Sequence, residues 1–426
     1  MNDSKCFLRM PSAMASMYKF SVYNIYLDEV MGLVYNTYSQ AISSFEDFVL
    51  KEKDIPDLVE NGFIVRLETD ELAEIKAEYD SRELFSNELH LIIATTLDCQ
   101  FRCFYCYESH PKVYMTDDVK QAIFKLVEKH AMSGTNISVV WYGGEPMLDF
   151  GTIQFLSERF VEICERHNVL YSASMISNGY AFNPENVGLL DTTYRIGSIQ
   201  ITLDGMKDVH EMRRPLLDNA ASFDQIVGNM KLIQEQSNAK VHLRINVDKS
   251  NIDSAHELLL YCSENGLSDI DVNLGMMKVF GCDHFCNPCD TNLFRMSEFS
   301  TEFLRFRDLC EKLGFTNAVE KMSPEYKINS CTMDAPNAYV IDPYGWVYKC
   351  ISVVEQMERS IGNVLTIFDE NAHTKYSPFD SKRCVACKYF PVCKGGCLLN
   401  NSGRSNECNV WRFITRDLIL RNVVNE

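Results

Sequence analysis

The chain lacks any run of eighteen apolar residues, so no segment reads as a transmembrane helix. Its opening "MNDSKCFLRMPSAMASMYKF" lacks the basic head, apolar core and small-residue cleavage site of a secretory signal, and a cytoplasmic location is expected. Dense Lys/Arg tracts are also missing, and the formal net charge of -18 repels a phosphate backbone. Nucleic acid and membrane are therefore not expected partners. The sequence shows neither low-complexity tracts nor a repeating period.

Cysteine, by contrast, is abundant, at 17 in 426 residues. In a reducing cytosol so many thiols cannot be a disulfide framework, which leaves metal binding or chemistry. The length suits two or three domains, and 46% hydrophobic residues suffice for their cores.

Four stretches are expected. Residues 1–88 open with two alternating segments, "YKFSVYNIYL" and "MGLVYNTYSQAI", that read as strands. A short helix ending at Asn61-Gly62, an extended "FIV" and a charged helix capped by Asp70 follow. Together they suggest a winged-helix-like domain, or else a packing extension of the main one. Residues 89–280 alternate strand and helix in six rounds: "HLIIATT", "ISVVWY", "YSASMIS", "IGSIQITL", "KVHLRINV" and "DIDVNLG". Thr116 and Ser222 are expected as helix N-caps within them, and Val119, Ile123, Phe124 and Val127 as one buried face. Such units imply an α/β fold with a parallel sheet or barrel and a site at the C-terminal strand ends. Residues 281–330 connect. Residues 331–426 are cysteine-rich, with strand-like "AYVIDPYGWVYKCIS" and a last helix "VWRFITRDLILRNVV".

The first strand runs into "TTLDCQFRCFYCYE", where Cys99, Cys103 and Cys106 have C-x3-C-x2-C spacing. Three thiolates on a four-iron cluster leave one iron open for a reactant; the same thiols also suit most of a zinc site. At later strand ends stand "WYGGEP", "ISNG" and "TLDGMKDVHEMRRP". Gly143 and Gly144 permit close backbone approach, Glu145 can accept from an ammonium, and Arg214 can pair with a carboxylate.

In these segments the sequence resembles the radical S-adenosylmethionine (SAM) enzymes, whose fold is a partial (β/α)6 barrel. The resemblance implies a SAM-binding 4Fe-4S cluster on Cys99, Cys103 and Cys106, with Tyr105 as the aromatic before the last cysteine. It places Gly143, Gly144 and Glu145 at the SAM amino group, Ser177 and Asn178 at the ribose, and Thr202 and Arg214 at further SAM contacts. "CVACKYFPVCKGGC" and the flanking cysteines resemble the SPASM domain, which binds two auxiliary 4Fe-4S clusters. By that likeness Cys331, Cys350 and Cys397 hold auxiliary cluster I, and Cys384, Cys387, Cys393 and Cys408 hold cluster II. A zinc ribbon uses the same local spacing and is the rival reading.

Well-known SPASM members have a further cysteine soon after the first, but none stands between Cys331 and Cys350. An open iron there would take a substrate thiolate or a ligand from elsewhere in the chain. Cys282, Cys286 and Cys289 repeat the C-x3-C-x2-C spacing without a flanking motif and have no assigned role. Of the isolated Cys6, Cys164, Cys262 and Cys310, the last three lie in helical patterns and read as core.

The resemblance implies reductive SAM cleavage to a 5'-deoxyadenosyl radical that takes hydrogen from a substrate, with flavodoxin or ferredoxin as electron donor. A ribosomal precursor peptide is the expected substrate and a thioether or carbon-carbon crosslink the expected product, with residues 1–88 as leader recognition. Anaerobic sulfatase maturases are a more distant match. Their cysteine trio begins near the N-terminus, and an Asp follows their G-x4-C cysteine where Ile351 follows Cys350. Sulfatase-type oxidation, peptide epimerisation and a zinc-stapled binding protein remain the alternatives.

Overall fold

Alternation of apolar residues organises the central sheet. In the computed structural model, which describes residues 8–28, 30–45, 49–85, 87–277, 292–401 and 408–425, the six expected strand segments all form. Cys6, Cys282, Cys286 and Cys289 lie outside the described residues.

Residues 1–85, 323–335 and 374–426 make one compact unit. Its strands are β1 (Tyr18–Phe20), β2 (Asn24–Asp28), β3 (Leu33–Asn36), β4 (Ile42–Ser44) and β5 (Ile64–Arg66). β2, β3 and β4 form an antiparallel meander, and β1 pairs antiparallel with β5. The expected short helix, Ile55–Glu60, ends at Asn61, and Gly62 follows at φ +69. Asp70 accepts from the Ala73 N–H at 3.1 Å and so caps the helix Glu71–Phe85. Alternation on the meander sends Tyr26 and Val34 to a core with Leu8, Met14 and Phe63. Ile25, Leu27, Leu33 and Tyr35 instead meet Ile419 of the last helix, Trp411–Asn425. Residues of β2 and β3 therefore share a core with the last helix, where the sequence left open a winged-helix-like domain or a packing extension of the main one.

Residues 86–322 and 336–373 make the second unit. Its strands are β6 (Glu88–Ala94), β7 (Asn136–Tyr142), β8 (Tyr171–Ser177), β9 (Ile196–Thr202), β10 (Lys240–Val247), β11 (Asp271–Met276), β12 (Ala338–Ile341), β13 (Trp346–Tyr348) and β14 (Gly362–Asn363). The order is β11-β10-β9-β8-β7-β6-β12-β13-β14, with β6 to β11 all parallel. Right-handed crossovers between strands laid down in sequence put their helices on one face. Leu91, Ile93, Val139, Trp141, Met175, Ile199, Ile201, Leu243 and Ile245 are buried, while Ser138, Ser174, Gln200, Arg244 and Asn246 alternate with them on the other, more open face.

Two local expectations change. Thr116 caps its helix by accepting from the Val119 N–H, as expected, but Ser222 makes no side-chain cap bond. The Glu211 carboxylate reaches the Ser222 and Phe223 N–H groups instead, at 3.2 and 3.4 Å. A full charge on a longer arm thus replaces the neighbouring hydroxyl. The segment 331–426 is also not one compact unit, because β12 pairs parallel with β6 and brings residues 336–373 into the second unit's sheet.

Candidate active site

The C-terminal ends of the parallel strands carry the sequence's marked residues. After β6, Thr96 turns the chain: its hydroxyl donates to the Val113 carbonyl at 2.7 Å and accepts from the Asp98 N–H at 3.0 Å. The cysteine loop that follows is laid against residues 213–217. Arg102 N–H donates to Pro215, Phe104 N–H to Arg213, and Leu217 N–H to Gln100. This pairing explains in physical terms why the segment "MRRP" belongs to the same site as the cysteines.

Gly143 and Gly144 face this loop. A Cβ on Gly143, at φ +129, would stand 2.1 Å from the Thr96 carbonyl oxygen, and one on Gly144 would stand 2.3 Å from that of Asp98. The Gly144 and Glu145 N–H groups donate to Thr96 and Asp98 at 3.1 and 2.9 Å. The close approach allowed by the glycines is thus to the cysteine loop. Glu145 is fully buried, and its carboxylate accepts from the Met147 N–H (3.0 Å), the Ser177 hydroxyl (2.8 Å) and the Asn178 N–H (2.7 Å). It fastens the end of β7 to the end of β8. Burial pushes its pKa up, against the pull of those three donors and of Arg214.

Asn178 stands over the first cysteine, with Nδ2 4.0 Å from Cys99 Sγ. Cys99 also accepts from the Phe101 N–H at 3.4 Å, and Cys106 Sγ lies 3.3 Å from His110 Nε2. As free thiols all three are held protonated by burial, Cys99 being pushed up to about 12. Metal binding would draw those protons off, and the positive charge of Arg214 near Cys99 and Cys103 works in the same direction.

Arg214 is buried and donates to the Tyr105 hydroxyl at 2.6 Å. Burial disfavours its charge, but Cys103, Tyr105 and Asp204 more than offset that and keep it cationic. Its Nε has no hydrogen-bond partner among the described residues, and neither does Asp204 Oδ2. An orphaned guanidinium N–H near the thiols of Cys99 and Cys103 and beside a buried carboxylate suits a small ligand bearing both a carboxylate and an ammonium. Thr202 closes β9 and is buried, with register partner Arg244.

Sequence reasoning did not single out several residues of this site. Asp204 accepts from the Asn246 N–H at 3.2 Å and lies 3.7 Å from Arg213 Nε. Arg213 pairs with Asp248 at 3.0 Å and lies 4.8 Å from the centre of the Phe104 ring. His210 accepts from the Asp204 N–H at 3.3 Å and is held neutral by burial and Arg214. Tyr142 donates to the buried Glu108 at 2.6 Å and is hydrogen-bonded to Tyr107. Asp204, His210 and Arg213 stand within "TLDGMKDVHEMRRP", Glu108 ends "TTLDCQFRCFYCYE" and Tyr142 lies in "WYGGEP".

The remaining cysteines divide between the two units. Cys384, Cys387, Cys393 and Cys408 line one cavity of the first unit, together with Arg383, Phe390 and Arg412. Arg412 Nη1 and Arg383 Nη2 approach Cys408 Sγ at 3.5 and 3.8 Å. Ser330 donates to the Gly396 carbonyl at 2.6 Å, joining the neighbours of Cys331 and Cys397. Cys350 belongs to the second unit, where it acts electrostatically on Tyr107. Cys164, Cys262 and Cys310 are buried, as expected of core residues. Among the described residues no three His, Cys, Asp or Glu side chains converge on one point as a single metal ion requires.

Comparison with known proteins agrees with this geometry. Residues 93–268 match the model of the radical SAM superfamily. A cysteine-type anaerobic sulfatase-maturating enzyme of Clostridium novyi is 22% identical over 343 residues, covering 73% of this chain and 87% of that protein. The solved structure of native anSMEcpe with bound AdoMet and Cp18Cys peptide superposes with a TM-score of 0.61 at 18% identity, over 79% of this chain and 99% of that one. SuiB of Streptococcus suis, bound to precursor peptide SuiA, superposes with a TM-score of 0.54 at 13% identity, over 92% of this chain and 97% of that one. With the cysteine loop, the buried glutamate and Arg214 gathered at the strand ends, residues 93–268 are a radical SAM domain.

Proposed function

We propose that the protein is a radical SAM peptide maturase acting on a ribosomal precursor peptide to form a thioether or carbon-carbon crosslink. The observation that carries the site reading is that one loop at the C-terminal end of β6 holds Cys99, Cys103 and Cys106 near one another, with Arg214 beside the first two. Bound there, SAM and a four-iron cluster would supply hydrogen-atom abstraction from the substrate. Cys99, Cys103 and Cys106 would hold the cluster, and Arg214, Glu145, Asn178 and Thr202 would shape the SAM side of the site. Arg213 and Asp204 would hold Arg214 and Tyr105 in place, since Arg214 donates to the Tyr105 hydroxyl and the Asp204 carboxylate acts electrostatically on both.

A peptide substrate is favoured over a sulfatase on two grounds. Ile351 follows Cys350 where an acid would be needed as proton acceptor. The fold likeness to SuiB covers 92% of this chain and so must reach into residues 1–85, which would serve leader recognition. We also assign Cys384, Cys387, Cys393 and Cys408 to one auxiliary cluster, and we retain from the SPASM resemblance a second cluster that includes Cys331 and Cys397 of the first unit. Thiols ringing a cavity suit a cubane, in which each thiolate binds a different iron, better than a lone zinc. An electron donor of the flavodoxin or ferredoxin type is required.

Anaerobic reconstitution with iron and sulfide tests the reading. About twelve irons per chain and SAM-dependent release of 5'-deoxyadenosine are expected for three four-iron clusters. Zinc in place of iron, or no 5'-deoxyadenosine at full iron loading, rejects it. Mass spectrometry of a co-expressed precursor peptide then separates the products. Loss of two hydrogens marks a crosslink, whereas unchanged mass with deuterium uptake marks epimerisation.

A further inference from the structure

Arg244 lies on the open face of the sheet and is not among the residues that hold the cysteine loop. Its guanidinium is laid over β11 at Gly275, where a Cβ would stand 1.9 Å from Nη2 and 2.1 Å from Cζ. Only glycine leaves room for it there. Its Nε donates to Asn246 Oδ1 at 3.0 Å, and Nη1 donates to Asn273 Oδ1. Both partners are neutral amides.

The negative groups nearby are engaged elsewhere. Asp204 accepts the Asn246 N–H through Oδ1, and its Oδ2 lies 3.7 Å from Arg213 Nε. Asp248 is taken by Arg213 and Ser250, and Asp271 pairs with His242 at 2.8 Å. Among the described residues no carboxylate forms an ion pair with Arg244. A partly desolvated guanidinium bonded only to neutral amides keeps spare donors and an unbalanced charge. Burial pushes its pKa down, and Tyr105 and Asp204 only partly oppose that. Ser174, Gln200 and Thr202 line the neighbouring strands of the same face, offering hydrogen bonds but no negative charge.

We propose that Arg244, seated over Gly275, is a carboxylate-binding residue that selects an acidic group of the substrate in the open face of the sheet. The inference rests on the maturase reading for the identity of its ligand, a peptide Asp, Glu or C-terminal carboxylate. The SAM carboxylate has the same chemistry and is the alternative source. Planar, two-pronged recognition of a carboxylate is what the fork of a guanidinium provides, and the side chains of Asn246 and Asn273 hold that fork in orientation.

The test uses full-length protein reconstituted with iron and sulfide, with SAM present. Two N-acetylated pentapeptide amides, Ala-Ala-Asp-Ala-Ala and its Asn counterpart, are compared by saturation-transfer difference NMR. The wild type is expected to hold the Asp peptide about tenfold more tightly, and Arg244→Met to lose that preference. Gly275→Ala keeps the guanidinium but displaces it, and is expected to lose the preference too; iron content equal to wild type excludes misfolding. Equilibrium dialysis of SAM distinguishes the sources. If Arg244→Met weakens SAM about tenfold while the peptides bind alike, the carboxylate held is that of SAM. Equal peptide binding with unchanged SAM affinity in both variants overturns the proposal and leaves the maturase reading standing. A fully iron-loaded wild type that binds no SAM overturns the maturase reading, while the peptide comparison, which needs no turnover, still decides Arg244.

Discussion

Glu145 satisfies three donors at once, and an amide cannot do the same. In Glu145→Gln one carboxylate oxygen becomes an NH2 group that must face either the Asn178 N–H or the pair formed by Met147 N–H and Ser177. A buried donor left against a donor costs about 1–3 kcal/mol, so the urea midpoint is expected to fall accordingly. A wild-type midpoint would show that the carboxylate is not what fastens β7 to β8. Asp342 gives the opposite case. Burial raises its pKa from 3.8 to about 6 against the bonds from Trp346, Tyr348 and Tyr344. The folded chain therefore keeps a proton that the unfolded chain releases, and stability falls as pH rises from about 4 to about 6. In Asp342→Asn the amide oxygen can still accept from Tyr344 and Trp346, which share Oδ1. The variant is expected to match wild type at pH 4 and to exceed it by up to about 3 kcal/mol above pH 6.5, read from urea melts across that range.

Among the elements, the end of β7 and the cysteine loop are the critical pair. Gly144→Ala would force a methyl group within 2.4 Å of the Leu97 carbonyl oxygen and drive the loop from its seat. The expected result is a loss of about four irons per chain on reconstitution, with loss of SAM binding; full loading would show that the loop tolerates the shift. How much of this was readable depends on the range of the interaction. β8 and β10 fall on the quoted segments "YSASMIS" and "KVHLRINV", because alternation over seven or eight residues is a local property. The cysteine trio, the glycine pair and Arg214 were legible as spacing and residue type. β12 was seen as a strand-like piece, but its parallel partner β6 lies some 250 residues earlier, and no local period encodes that choice. Asp204 and Arg213 were missed because their role exists only once β9, β10 and the cysteine loop meet.

At the level of the molecule, the first unit is assembled from three stretches of chain. A fragment ending at residue 85 would expose Ile25, Leu27, Leu33 and Tyr35, which in the whole protein meet Ile419. Such a fragment is expected to lack a cooperative thermal transition by circular dichroism, and removing residues 411–425 from the full chain to lower the first unit's melting temperature. A sharply folding fragment would contradict the shared core. Leader-binding measurements therefore belong on the full-length protein. The same layout imposes a delay during synthesis. About 375 residues separate β3 from the helix beginning at Trp411. At about 5–20 residues per second, the ribosome needs roughly 20–75 s to cross that interval. For that time the nascent meander presents a greasy, unpaired surface to the cytosol, making it a natural client for chaperones until the last helix arrives.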